Sequence, residues 1–185
     1  MEMRICTKDH NEQYGVIAEI LLSQYIQKNN AYGNNMSKNF KKYGSLVYVL
    51  RISDKLNRLE TLQNNPEISS ADESILDTIG DAITYCMMCV GDIAASFVTK
   101  DMDSTINYGF TQELLGNISM NPSVVEEVVN KVEINSPLNA RAVQMSYIDM
   151  LDYAYNSGEL AQGCYRLAMR LLVLYAKLMA EAGMI

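Results

Sequence analysis

The chain has no tryptophan, only three prolines and a single histidine, His10. Few prolines over 185 residues, with long stretches free of breakers, favour helices over many short strands. A Ser-His-Asp or Cys-His mechanism would depend on His10 alone, close to the chain start. No Gly-rich phosphate loop of the GxGxxG or Walker type occurs. No window of about 18 residues is free of charge, so no membrane span is expected. The most apolar stretch, 167–179, is broken by Arg170 and Lys177. The first ten residues lack the apolar core of a signal peptide, and a cytoplasmic location is expected. The four cysteines, Cys6, Cys86, Cys89 and Cys164, are scattered and read as reduced thiols. Cys86 and Cys89 form a CxxC pair, but no second CxxC or His pair completes a zinc site. They read as buried helix residues.

What is present is an acidic, half-apolar chain with one basic segment. The hydrophobic fraction is 49%, ample for a core, and the net charge is −7. That balance argues against general binding to duplex nucleic acid. Between Lys38 and Arg58, however, lie Lys38, Lys41, Lys42, Arg51, Lys55 and Arg58 against one acid, Asp54. A basic segment in an acidic protein suits a small anionic ligand, or simply a solvated loop and helix start.

Apolar periodicity predicts an all-α chain. A first helix is expected over about 12–28, carrying Val16, Ile17, Ile20, Leu21, Leu22, Tyr25 and Ile26. Residues 29–35 read as a breaker-rich loop, followed by a short basic stretch up to Gly44. A second helix is expected over about 45–63, with Val49, Ile52, Leu56, Leu59 and Leu62 on one side. Arg51, Asp54, Lys55 and Arg58 lie on the other, and Asn64-Asn65-Pro66 stops the helix. Ser70 to Glu73 matches a capping box opening a third helix. In it Ile75, Ile79, Ala82, Ile83, Cys86, Val90 and Ile93 recur at helical spacing. Glu73, Asp77, Asp81 and Asp92 are placed on the opposite arc. Gly80 and Gly91 interrupt it and suggest close approach by another backbone or a ligand. Further helices are expected through Leu115, over about 122–133 and 137–155, and over about 159–182. The last, apolar on much of its circumference, is expected to be central or at a subunit interface. Residues 1–100 read as a core and 101–185 as a C-terminal helical extension. The tyrosines at 147, 153, 155, 165 and 175 read as packing residues, and Asp149 with Asp152 as a solvated face.

Glu73, Asp77 and Asp81 recur every four residues, about 6 Å apart along the helix axis. Like charges stacked this way repel. A divalent cation would relieve them, and so would the cationic Lys55 and Arg58 of the preceding helix. Mg²⁺ prefers oxygen ligands and is commonly held by one or two carboxylates plus substrate phosphates. Such an ion could activate a water for phosphoanhydride hydrolysis, with basic side chains on the phosphates. The plainer alternative is that Glu73 only caps its helix while Asp77 and Asp81 face solvent.

Three segments in order carry a resemblance: Asn30-Ala31-Tyr32-Gly33-Asn34, Arg51-Ile52-Ser53-Asp54-Lys55-Leu56-Asn57-Arg58-Leu59, and residues 72–85 from Asp72-Glu73 through Asp77 and Asp81 to Tyr85. Together, over about 12–97, the chain resembles the nucleotide-modification-associated helical family of phages. That family is related in fold to the MazG and dimeric dUTPase group of all-α nucleotide pyrophosphatases. The resemblance implies a MazG-like helical bundle, a homodimer or higher homo-oligomer, and Mg²⁺ near bound phosphates. It implies Asp54, Glu73, Asp77 and Asp81 as catalytic, with Glu73, Asp77 and Asp81 as metal ligands. Tyr32, Lys55, Asn57, Arg58 and Tyr85 would contact a nucleotide. The chain departs from the MazG pattern. Asp54 and cations stand where an ExxE would fall, and Thr78 stands where the ExxD glutamate would be. Two expectations follow: a Mg²⁺-dependent nucleotide pyrophosphatase, or a non-catalytic phage sponge that sequesters a nucleotide-derived immune signal. A purely structural helical oligomer is the third reading.

Overall fold

The computed structural model describes residues 7–65, 75–98 and 157–184, and every regular element among them is an α-helix. In order these are α1 (Thr7–Tyr32), α2 (Asn35–Tyr43), α3 (Leu46–Asn64), α4 (Ile75–Val98) and α5 (Ser157–Glu181). The helices expected over 101–155, the capping box at Ser70 and the carboxylate of Glu73 lie outside the described residues.

α4 is the central rod. Between Asp81 and Asp92 it carries no charge, and Ile79, Ala82, Ile83, Cys86, Met87, Cys89 and Ile93 are buried. A helix apolar around most of its circumference is stable in water only when neighbours cover it. α5 covers one flank through Leu160, Cys164, Leu167, Ala168, Leu171, Leu172 and Tyr175. This fits the expectation of a core role for the last helix, which keeps Arg166, Arg170 and Lys177 on an exposed stripe. α3 covers a second flank with Val49, Ile52, Leu56, Leu59 and Leu62, buried as their spacing predicted, and with Tyr48, which is buried beside them. Tyr48 pairs with Asp92 and Lys55 with Asp81, so α3 and α4 run antiparallel. α1 meets α4 and α5 over a shorter contact through Ile17, Leu21 and Tyr25.

Two expectations need correction. The first helix does not end at Lys28 but runs to Tyr32. Asparagines have weak helix propensity, yet the turn that stops α1 comes later, at Gly33. There the N–H of Gly33 donates to Asn30 O and that of Asn34 to Asn29 O, at 3.4 and 3.2 Å. This is a Schellman closure, with Gly33 and Asn34 both in the left-handed region (φ 58° and 56°). Second, the basic stretch before Gly44 is itself a helix, α2. Met36, Ser37 and Phe40 share its inner face, while Lys41 and Lys42 sit in the last turn, where the helix dipole favours cations. Gly44, at φ 73° and ψ −168°, ends it, and its N–H donates to Phe40 O at 2.8 Å. That backbone region is essentially open to glycine alone.

Candidate functional site

The clearest polar convergence forms where α1 crosses α4. Gly80 of α4 lies beneath this crossing. A Cβ there would lie 3.4 Å from Leu21 Cδ2, 3.5 Å from Gln24 Oε1 and 3.6 Å from the Tyr175 ring. These are ordinary contact distances to α1 and α5 side chains, and no backbone lies close to Gly80 among the nearest atoms. The next residue, Asp81, receives cations from two other helices. Lys55 of α3 places Nζ 2.9 Å from Asp81 Oδ2, and Lys28 of α1 contacts Oδ1. The side chains of Lys55 and Asp81 are 20% and 21% exposed, whereas that of Lys28 is 50% exposed. The Lys55 pair is therefore the less screened of the two, and the Lys28 arm is the freer to move.

Around this node the other candidates are dispersed. Arg58 is half-buried one turn beyond Lys55 on α3, at the level of Asp77 in the antiparallel register. Asp77 is exposed, and its charge, after burial, helps raise the Tyr175 hydroxyl above its usual range. Asp54 and Asn57 are exposed on α3. Tyr32 is 74% exposed at the end of α1, one turn past Lys28, and Tyr85 packs against the core one turn past Asp81. The structure thus joins Lys55 to Asp81 and does not join Asp54 or Asn57 to them. Carboxylate repulsion on α4 is relieved at Asp81 by ammonium groups, one of the two remedies open from the sequence. Of the three expected metal ligands, Glu73 lies outside the described residues, so only Asp77 and Asp81 are placed. Both Asp81 oxygens face lysines, and among the described residues no group of three or more His, Cys, Asp or Glu could hold a metal ion.

A second polar node was misplaced by periodicity. Asp92 was expected on the solvent arc of α4, near Asp77 and Asp81. It is instead fully buried. The Tyr48 hydroxyl donates to it, Ser37 of α2 hydrogen-bonds it, and the charge of Lys41 acts on it. Burial pushes its carboxyl up from 3.8 to about 6, against these partners, which pull it down. Burial, and then the negative charge of Asp92, drive the Tyr48 hydroxyl well above its usual range. A signal existed: Asp92 is the only charged residue between Asp81 and Lys100, inside an otherwise apolar run.

The CxxC residues are buried, as expected, and carry thiols rather than a disulfide. Both hydrogen-bond Cys164 of α5. Burial, then that bond, raises the Cys86 thiol. The bond, then burial, raises Cys89. Thiols held neutral in this way are poor nucleophiles.

Among the described residues no helix is long and apolar enough to cross a membrane. Comparison with protein-family models, curated proteins and solved structures finds no match to this chain.

Proposed function

We propose that this protein binds a nucleotide or nucleotide-derived phosphate compound at the Lys28–Asp81–Lys55 cluster. The observation that carries the reading is the meeting of two ammonium groups from different helices on one carboxylate. The carboxylate holds the lysines in place and leaves them one positive charge in excess. A phosphate group brings more negative charge than Asp81 and could draw both ammoniums onto itself. Arg58 stands one turn away to extend the anion site, and exposed Tyr32 offers a ring face for a base. The resemblance over about residues 12–97 supports the same ligand class, a MazG-like arrangement of the helices and a homo-oligomer.

Binding without turnover is the better-supported form, because the carboxylate that would anchor a cation is already committed to lysines. In a phage setting such a protein would act as a sponge for a nucleotide signal. Hydrolysis remains the second reading, favoured by the carboxylates Asp77 and Asp81 one helical turn apart on α4. The two separate cleanly. Purified protein is incubated with a nucleotide panel and Mg²⁺, denatured, extracted and chromatographed. Intact ligand supports sequestration; new monophosphate and pyrophosphate support hydrolysis. Under hydrolysis, Asp77→Asn with Asp81→Asn abolishes turnover, and unchanged turnover removes those residues from catalysis. Under both readings Arg58→Ala weakens binding. A nucleotide panel without any retained ligand or product contradicts both.

A further inference from the structure

The last turn of α1 has little of its own to hold it. It reads Asn29-Asn30-Ala31-Tyr32, and two of its four residues are weak helix formers. Asn30, Ala31 and Tyr32 are exposed and Asn29 is half-buried, so the turn contributes no buried side chain to the core. It is held from its C-terminal side. The amides of Gly33 and Asn34 donate back to Asn30 O and Asn29 O. Asn34 does this at φ 56°, a left-handed conformation that residues with a Cβ rarely adopt. Its side chain is tied down: the Ser37 hydroxyl donates to Asn34 Oδ1 at 3.0 Å and also hydrogen-bonds Asp92. Ser37 is 2% exposed and Asp92 is fully buried, where it also accepts from Tyr48 of α3. A run of polar contacts thus leads from the α3–α4 core through α2 to the end of α1.

We propose that Ser37 and Asp92 are positioning residues for the ligand site: through Asn34 they keep the last turn of α1 wound, and so keep the Tyr32 ring on the same face as Lys28. Residues four apart share a face only while the turn between them is helical. When that turn unwinds, Lys28 stays with the packed part of α1 and Tyr32 moves away. Ammonium contacts to a phosphate survive; the ring contact to a base does not. This also accounts for a carboxylate inside the core. An apolar side chain at 92 would avoid desolvating a charge but could not fasten Ser37. The effect on ligand binding rests on the nucleotide reading above, whereas the hold on the turn does not.

Two measurements on the full chain test it. The first is amide exchange of Gly33 and Asn34, followed by nuclear magnetic resonance. In Ser37→Ala both amides are expected to exchange about five-fold faster while α5 amides, the control for folding, keep their protection. The second is calorimetry with the tightest-binding nucleotide of the panel and with inorganic pyrophosphate. Tyr32→Ala and Ser37→Ala are each expected to weaken nucleotide binding, by up to about ten-fold, and to leave pyrophosphate binding unchanged. The double variant should lose no more than Tyr32→Ala alone, because both changes remove one contact. Unchanged exchange of Gly33 and Asn34, equal losses for nucleotide and pyrophosphate, or losses that add in the double variant overturn the proposal. Wild-type protein that binds neither ligand refutes the nucleotide reading and the binding role with it, and amide exchange then decides separately whether Ser37 holds the turn.

Discussion

Replacing Asp92 with asparagine should stabilise the protein at neutral pH and have little effect in acid. The carboxyl is wholly buried and titrates at about 6 instead of 3.8. A raised folded-state pKa means that the folded protein binds the proton more tightly than the unfolded chain. The ionised group is therefore a burden above pH 6, relieved progressively as the pH falls from about 6 towards 4. Two pKa units correspond to about 3 kcal/mol. Asparagine keeps an acceptor for Tyr48 and Ser37 but loses the stronger bonding to a charged oxygen and the attraction of Lys41. The pKa already contains those terms, so the variant should gain about 1–3 kcal/mol at pH 8 and nearly nothing at pH 4. Urea unfolding of both proteins across pH 4–8, followed by circular dichroism, measures the difference directly. Other carboxylates cancel in the comparison. A variant destabilised by the same amount at every pH would refute the reasoning, showing that the hydrogen bonds outweigh the buried charge.

Tyr48→Phe removes the donor while leaving the ring against Phe40. It should cost about 1.5–3 kcal/mol at pH 8 and less at pH 4, where Asp92 is protonated, as read by the same urea series. Gly80→Ala adds a methyl group at ordinary contact distance from Leu21, Gln24 and Tyr175. With helix propensity regained it should raise stability by about 0.5–1 kcal/mol, and a drop in thermal midpoint would mean the α1 crossing is tighter than it looks. Lys28→Ala should change stability by less than about 1 kcal/mol, since its half-exposed ion pair is screened. Its effect should show instead as weaker nucleotide binding in calorimetry.

The helical class was legible because the apolar residues of α3 and α5 keep helical spacing over many turns. Leu56, Leu59 and Leu62 went inside as the pattern required. Two features escaped for identifiable reasons. α2 was hidden by its own lysines and by asparagines that usually signal loops. Only the docking of Met36, Ser37 and Phe40, a tertiary effect, makes it a helix. Asp92 was assigned to solvent because it shares an arc with Asp77 and Asp81. Angular position on a helix does not reveal that a second helix covers only one end of that arc. In the candidate site the Lys55–Asp81 partnership was within reach of the sequence, as the two charged arcs belong to successive helices. Lys28 was not, because its role depends on how α1 crosses α4 at Gly80, a long-range packing outcome that no local pattern encodes.

The central claim is that the lysines around Asp81 hold a phosphate-bearing nucleotide. Its most direct test is mass spectrometry of small molecules released on denaturation from freshly purified wild-type protein and from a Lys28→Ala, Lys55→Ala double variant. Both are loaded with the same nucleotide panel and matched for helicity by circular dichroism. The account predicts a nucleotide in the wild-type extract and at least about ten-fold less from the double variant, the loss expected for removing charged hydrogen bonds. Equal recovery from both proteins, or no nucleotide from either, would contradict it.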